Sequence, residues 1–117
     1  MLKLQWMKSL DDKWLDFSRL DVSQVRGQGV YIIWHGGPNP RVVRVGKGDL
    51  RARFESHRQN PRLMWYASQG KLLITWAEVT SRSHQDGIET YLTKRLSPLL
   101  GDQVANVPPI QVRSPFG

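Results

Sequence analysis

Tyr31, Arg53, His57 and Glu89 are among the side chains whose types could together break a phosphodiester. That reaction needs charge on the phosphate oxygens stabilised, the leaving oxygen assisted and a water activated. The Arg53 guanidinium can neutralise a phosphate. His57 follows it by one helical turn, so the two address the same neighbourhood. Glu89 is one of three glutamates, and exposed or strand positions account for Glu55 and Glu78. A single carboxylate can hold Mg²⁺ or Mn²⁺, with water and phosphate oxygens completing the shell. Each residue also has a plainer reading. Tyr31 could be a strand core residue, Arg53 a surface arginine lying along its stem, His57 a structural histidine and Glu89 a helix-surface carboxylate.

These residues need elements to position them. Val30 to Trp34 is a run of β-formers. It is separated from Val42-Val43-Arg44-Val45 by Gly36-Gly37-Pro38-Asn39-Pro40, which predicts an antiparallel hairpin. Gly46-Lys47-Gly48 breaks the second strand and Asp49 can cap a helix. In that helix Leu50, Phe54 and His57 form one stripe, Arg53 lies on its edge, and Arg51 and Glu55 can pair elsewhere. Asn60-Pro61 ends it. Lys71 to Val79 reads as a third strand, apolar on both faces and therefore covered on both. A last helix runs from near Ser83 to before Pro98, with Ile88, Leu92 and Leu96 buried and Glu89 at the border. Ahead of the hairpin, Ser9 with Asp12 suggests a capping box, and Leu10, Trp14 and Phe17 recur at helical spacing.

The expectation is one α+β domain with a three-stranded antiparallel sheet flanked by helices. Residues 1–27 would be a helical packing element, 28–106 the motif-bearing core and 107–117 an extended tail. The 117 residues suffice for one hydrophobic core. With no cysteine, a disulfide framework, a thiolate zinc site and a cysteine nucleophile are excluded. No apolar run approaches the ~20 residues that span a bilayer, and the N-terminus lacks the pattern of a secretory signal. Those features predict a soluble cytoplasmic protein.

Seventeen Lys and Arg against ten Asp and Glu give a net charge of +7 and a pI near 10.3. Arg41, Arg44, Lys47, Arg51, Arg53, Arg58 and Arg62 crowd one stretch, opposed only by Asp49 and Glu55. A solvated basic face would look similar. The arginine richness favours a nucleic acid, because the guanidinium fork fits phosphate oxygens.

Gly29-Val30-Tyr31, Val43-Arg44-Val45-Gly46-Lys47, the helix Leu50 to His57 and the late Glu89 together resemble the GIY-YIG nuclease family. That family includes the N-terminal domain of the bacterial excision-repair nuclease, certain intron homing endonucleases and some restriction enzymes. The resemblance covers roughly Gly29 to Asn106. It implies a metal-dependent endonuclease. Tyr31 would be the first-motif tyrosine, Arg53 the essential arginine, His57 the position held by His or Tyr, Glu89 the metal ligand and Lys47 the lysine after the second motif. Gly46 and Asn106 would support the site, with Arg113 as an alternative to Asn106. Arg44, Lys47, Arg51, Arg58 and Arg62 would bind substrate, DNA in preference to RNA. With little more than the catalytic module present, sequence specificity would be poor or would come from a homodimer or a separate partner.

One departure from the family pattern bears on mechanism. The second motif usually opens with a tyrosine proposed as general base, and Arg44 stands there. Arginine keeps its proton above a pKa of about 12 and cannot be that base. Arg44 could add a phosphate contact. The base would then be Tyr31, His57, Lys47 with a lowered pKa, or water activated by the ion alone. A catalytically silent nucleic-acid-binding module of the same fold is the alternative reading.

Overall fold

The β-forming run after Gly29 becomes the centre of the sheet. The computed structural model describes residues 1–101 and 106–116, and there the run is strand β2 (Gln28–His35), buried at every position after Gln28. It pairs antiparallel with β3 (Arg41–Asp49) on one side and β4 (Leu72–Glu78) on the other. With neighbours on both edges and cover on both faces, such a strand has no solvent side on which polar residues could alternate.

Among the described residues the sheet has four strands rather than the expected three, in the order β1-β4-β2-β3. The additional strand, β1 (Leu15–Asp16), pairs with Ile74 and Leu73 of β4. It arises within the segment expected to be helical. Residues 1–14 form no helix, and Ser9 closes a turn instead: its N–H donates to the Lys13 carbonyl at 2.9 Å and its hydroxyl accepts from the Lys13 N–H at 3.1 Å. The reason is tertiary. A helix would align Leu10, Trp14 and Phe17 on one side, but Trp14 packs edge-on against Trp34 on one face of the sheet and Phe17 against Phe54 on the other. A short isolated helix is marginal in water, so burying both rings decides the conformation.

Two of the three helices follow the sequence expectation closely, and the short one between them was not expected. Helix α1 (Leu50–Arg58) starts at Asp49, whose carboxylate accepts the Ala52 N–H at 3.1 Å. It buries Leu50, Phe54 and His57 against Tyr31 and Ile33. Asn60 then caps the single-turn helix α2 (Pro61–Met64), and a tight turn over Trp65–Ser68 leads to β4. Helix α3 (Arg82–Leu96), capped by Ser81, lays Ile88 and Leu92 on the opposite face against Val30, Ile32, Val45 and Ala77. Burying each large apolar side chain in these two layers contributes about 1.5–3 kcal/mol. No helix among the described residues is long and apolar enough to cross a membrane.

The hairpin carries one irregularity that matters for the site. Ile33 stands opposite Arg44 and Trp34 opposite Val42, so Val43 is an extra residue in β3. This bulge resets the alternation: Val43 joins the α1-side core and Val45 the α3-side core, although they are two residues apart. It also puts Arg44 on the α1 face, level with Ile33 and beside Tyr31.

Candidate functional site

Strand β3 is one edge of the sheet, and side chains from both faces meet around it. Residues opposite each other in register share a face, so Tyr31, Gly46 and Arg44 lie on the α1 side. Lys47, opposite Val30, lies on the α3 side with Asp86 and Glu89. Arg53 comes from α1.

Tyr31 belongs to the central strand, yet its hydroxyl reaches the edge because residue 46 has no side chain. A Cβ at Gly46 would sit 2.2 Å from both Cζ and Oη of Tyr31. The ring therefore lies across Gly46, held by Phe54 in an edge-to-face contact at 5.2 Å. Gly48 plays a related part for Arg53. Its φ of +116° suits glycine, and the Arg53 stem passes 3.8 Å from where its Cβ would be.

The Tyr31 hydroxyl pairs with His57 Nε2 at 2.5 Å, and both residues are buried, at 0 % and 5 % exposure. Burial pushes the phenol pKa up, while the guanidinium groups of Arg53 and then Arg44, within hydrogen-bonding reach, pull against that rise. The net direction is upward, so Tyr31 is a neutral phenol at physiological pH. Arg44 and Arg53 are thus gathered over one buried oxygen.

Glu89 stands on the other side of the same edge, 13 % exposed, with its Oε1 3.9 Å from Lys47 Nζ. Burial raises its carboxyl above the usual range. Lys47 and then Arg44 oppose the rise, Asp86 adds to it, and Arg53 opposes it more weakly. The groups acting on Glu89 and on Tyr31 overlap in Arg44 and Arg53. A carboxylate late in the chain and a guanidinium from the early helix thereby share one neighbourhood. Lys47 also hydrogen-bonds Asp86, one turn before Glu89 on α3.

The remaining expected residues are placed as follows. Arg51 is exposed and pairs with Glu55 at 3.2 Å, and Arg62 is exposed on α2; both are open to a ligand. Arg58 is a correction. Its Nη2 donates to the carbonyls of Phe17, at 2.6 Å, and Leu20, and its guanidinium lies over the Phe17 ring at 5.4 Å. Those contacts tie the N-terminal segment to α1 and leave no fork for phosphate. His57 faces inward onto Tyr31, so any part it plays passes through that hydroxyl. Asn106 is exposed on the stretch after α3, and the exposed Arg113 gives its carbonyl to the Trp6 indole N–H at 2.9 Å.

Two contributors were not anticipated, Asp86 and Gly48. Asp86 could have been found from its spacing three residues before Glu89, which puts both carboxylates on one helix face. Gly48 shows in the sequence only as a strand breaker.

Among the described residues no group of three or more His, Asp or Glu side chains is arranged to hold a metal ion. The half-buried Glu89 and neighbouring Asp86 offer oxygen donors only. That chemistry fits a hard ion such as Mg²⁺, which binds through one or two carboxylates and keeps water and phosphate oxygens as its other ligands. It is a poor match for zinc, whose sites are built mainly from histidine nitrogen and cysteine sulfur. Compared with known protein families, with curated proteins and with solved structures, the chain matches none.

Proposed function

We infer that the protein is a metal-dependent endonuclease of the GIY-YIG kind that hydrolyses phosphodiester bonds in DNA. The observation that carries this reading is the shared neighbourhood of Glu89, Arg53, Arg44 and Lys47 around the β3 edge, with the Tyr31 hydroxyl beneath it. Three cations against Glu89 and Asp86 leave this edge of the sheet positive, which suits a phosphodiester anion.

Arg53 and Arg44 would take the phosphate oxygens and meet the charge that grows on them in the transition state. Glu89, with Asp86 one turn away, would hold the divalent ion, which supplies positive charge to the phosphate and acidity to a water. Lys47 lies against both carboxylates. The raised phenol pKa means that Tyr31 acts without a standing negative charge. As its oxygen takes a proton from the attacking water, its own proton passes to His57 Nε2. Arg44 and Arg53 cover that oxygen, and drawing them onto a phosphate opens it. Arg51 and Arg62 would follow the flanking backbone. A homodimer or a separate partner would supply sequence specificity.

The second reading is a nucleic-acid-binding module without cleavage, favoured by Arg44 in place of the usual tyrosine. Incubation with supercoiled plasmid, branched DNA and structured RNA, each with Mg²⁺ or chelator, separates the two. The nuclease reading predicts Mg²⁺-dependent cutting of DNA that is lost in Glu89→Ala. Gel shifts without cutting of any substrate would support the module instead.

A further inference from the structure

Trp65 is 57 % exposed at the start of the tight turn after α2, whereas the neighbouring Leu63 is wholly buried. An indole left in water forfeits a large burial gain. The backbone there is fixed. The Trp65 N–H donates to the Pro61 carbonyl, and its own carbonyl accepts from the Ser68 hydroxyl at 2.8 Å. The ring is braced edge-to-face by Tyr66 at 5.0 Å, and Tyr66 is stacked parallel on His35 at 6.2 Å. His35 lies on the same face of β2 as Tyr31, four residues further along, a distance of roughly 13 Å at strand rise. A nucleic acid strand covers the span from Tyr31 to His35 in about four stacked steps, and the Trp65 ring lies two ring contacts beyond His35.

The chain on either side of Trp65 carries charge of one sign. No acidic residue occurs between Glu55 and Glu78, while Arg62, three residues before Trp65, and Lys71 are both exposed. Rigid aromatic surface interleaved with cations is the pattern that holds single-stranded nucleic acid, phosphates on the cations and a base on the ring. A base inside a continuous duplex already stacks on both faces and has none to offer. We propose that Trp65 is a stacking platform for an unpaired base near the cut, which makes flapped, splayed or looped DNA the preferred substrate over continuous duplex. This rests on the nuclease reading for its location and deepens it by naming the substrate class.

The test is equilibrium binding by fluorescence anisotropy in chelator. The probes are a blunt duplex, the same duplex with a single-stranded flap, and that duplex with an abasic flap. Trp65→Ala should bind the base-bearing flap about 5- to 150-fold more weakly than wild type, the range for loss of one base stack, and the blunt duplex within about twofold. Trp65→Phe should recover most of the loss. The abasic flap should bind wild type as weakly as the intact flap binds Trp65→Ala. Equal weakening on all three probes, or none, would overturn the proposal. So would a wild-type dimer in light scattering that Trp65→Ala dissolves, because the ring would then be a self-association surface. If the platform effect persists while the wild type cuts nothing, the nuclease reading fails and this one stands. If the wild type cuts and Trp65→Ala is silent, the reverse holds.

Discussion

Replacing Gly46 with alanine should unseat Tyr31, and the size of the effect can be worked from the structure. The new methyl would meet Cζ and Oη at 2.2 Å and Cε1 at 2.8 Å. Ordinary carbon contacts are about 3.5–4.0 Å, so ring or strand must shift by more than about 1 Å. The ring has no slack, with Phe54 against it at 5.2 Å and the His57 ring at 5.5 Å. Overpacking of this kind costs about 1–3 kcal/mol. Pulling the hydroxyl off His57 strands a buried polar group, for about 1–3 kcal/mol more. Alanine returns about 0.5–1 kcal/mol because glycine weakens a strand. The net loss is about 1–5 kcal/mol, centred near 3, a fall in Tm of roughly 10 °C at the centre for a chain of this size. Thermal melts of Gly46→Ala, Tyr31→Leu and the double variant would measure it. The clash disappears when residue 31 has no ring, so the double variant should be more stable than the sum of the singles by at least about 1 kcal/mol. A Tm for Gly46→Ala within about 2 °C of wild type, or an equal cost in the Tyr31→Leu background, would refute the reasoning.

The other consequences concern charge. Burial raises the Tyr31 pKa, so ionising it opposes folding: stability is intact below the usual tyrosine range near 10 and falls as pH rises through it and above. In an ultraviolet absorbance titration one of the three tyrosines should ionise above the others, and Tyr31→Phe should remove that late step. Asp86→Asn should raise the Mg²⁺ concentration needed for cleavage by about 10- to 100-fold, the usual effect of losing a group that orients a ligand; an unchanged Mg²⁺ dependence would remove Asp86 from the site. Arg58→Ala should lose about 1–3 kcal/mol of stability, because two carbonyls and the Phe17 ring lose their partner, and it should leave the salt dependence of DNA binding unaltered. Arg51→Ala should do the opposite, with Tm unchanged and the slope of log K against log salt reduced by about 1.

Much of this was legible from local pattern. Asp49 as a cap, the Leu50–Phe54–His57 stripe and the two-faced strand β4 each follow from spacing within a few residues, and each is present. The first twenty-seven residues misled because helical spacing at Leu10, Trp14 and Phe17 is a local signal, whereas the partners that set their conformation, Trp34 and Phe54, are distant in sequence. The burial of Arg58 over Phe17 was hidden for the same reason, since it depends on where the N-terminal segment comes to rest. The reach of Tyr31 across Gly46 needed the hairpin register, which a one-residue bulge shifts at Val43.

The central claim is that Glu89, gathered with Arg53 and Arg44 at the β3 edge, supports hydrolysis through a divalent ion. The most direct measurement compares wild type with Glu89→Gln, a substitution that keeps the shape and removes the charge. Both would be incubated with flapped DNA in excess Mg²⁺, with circular dichroism to establish that both are folded. The account predicts Mg²⁺-dependent cleavage by the wild type and none by Glu89→Gln, with DNA binding retained. Undiminished cleavage by Glu89→Gln, or a folded wild type that binds DNA and never cuts it, would contradict it.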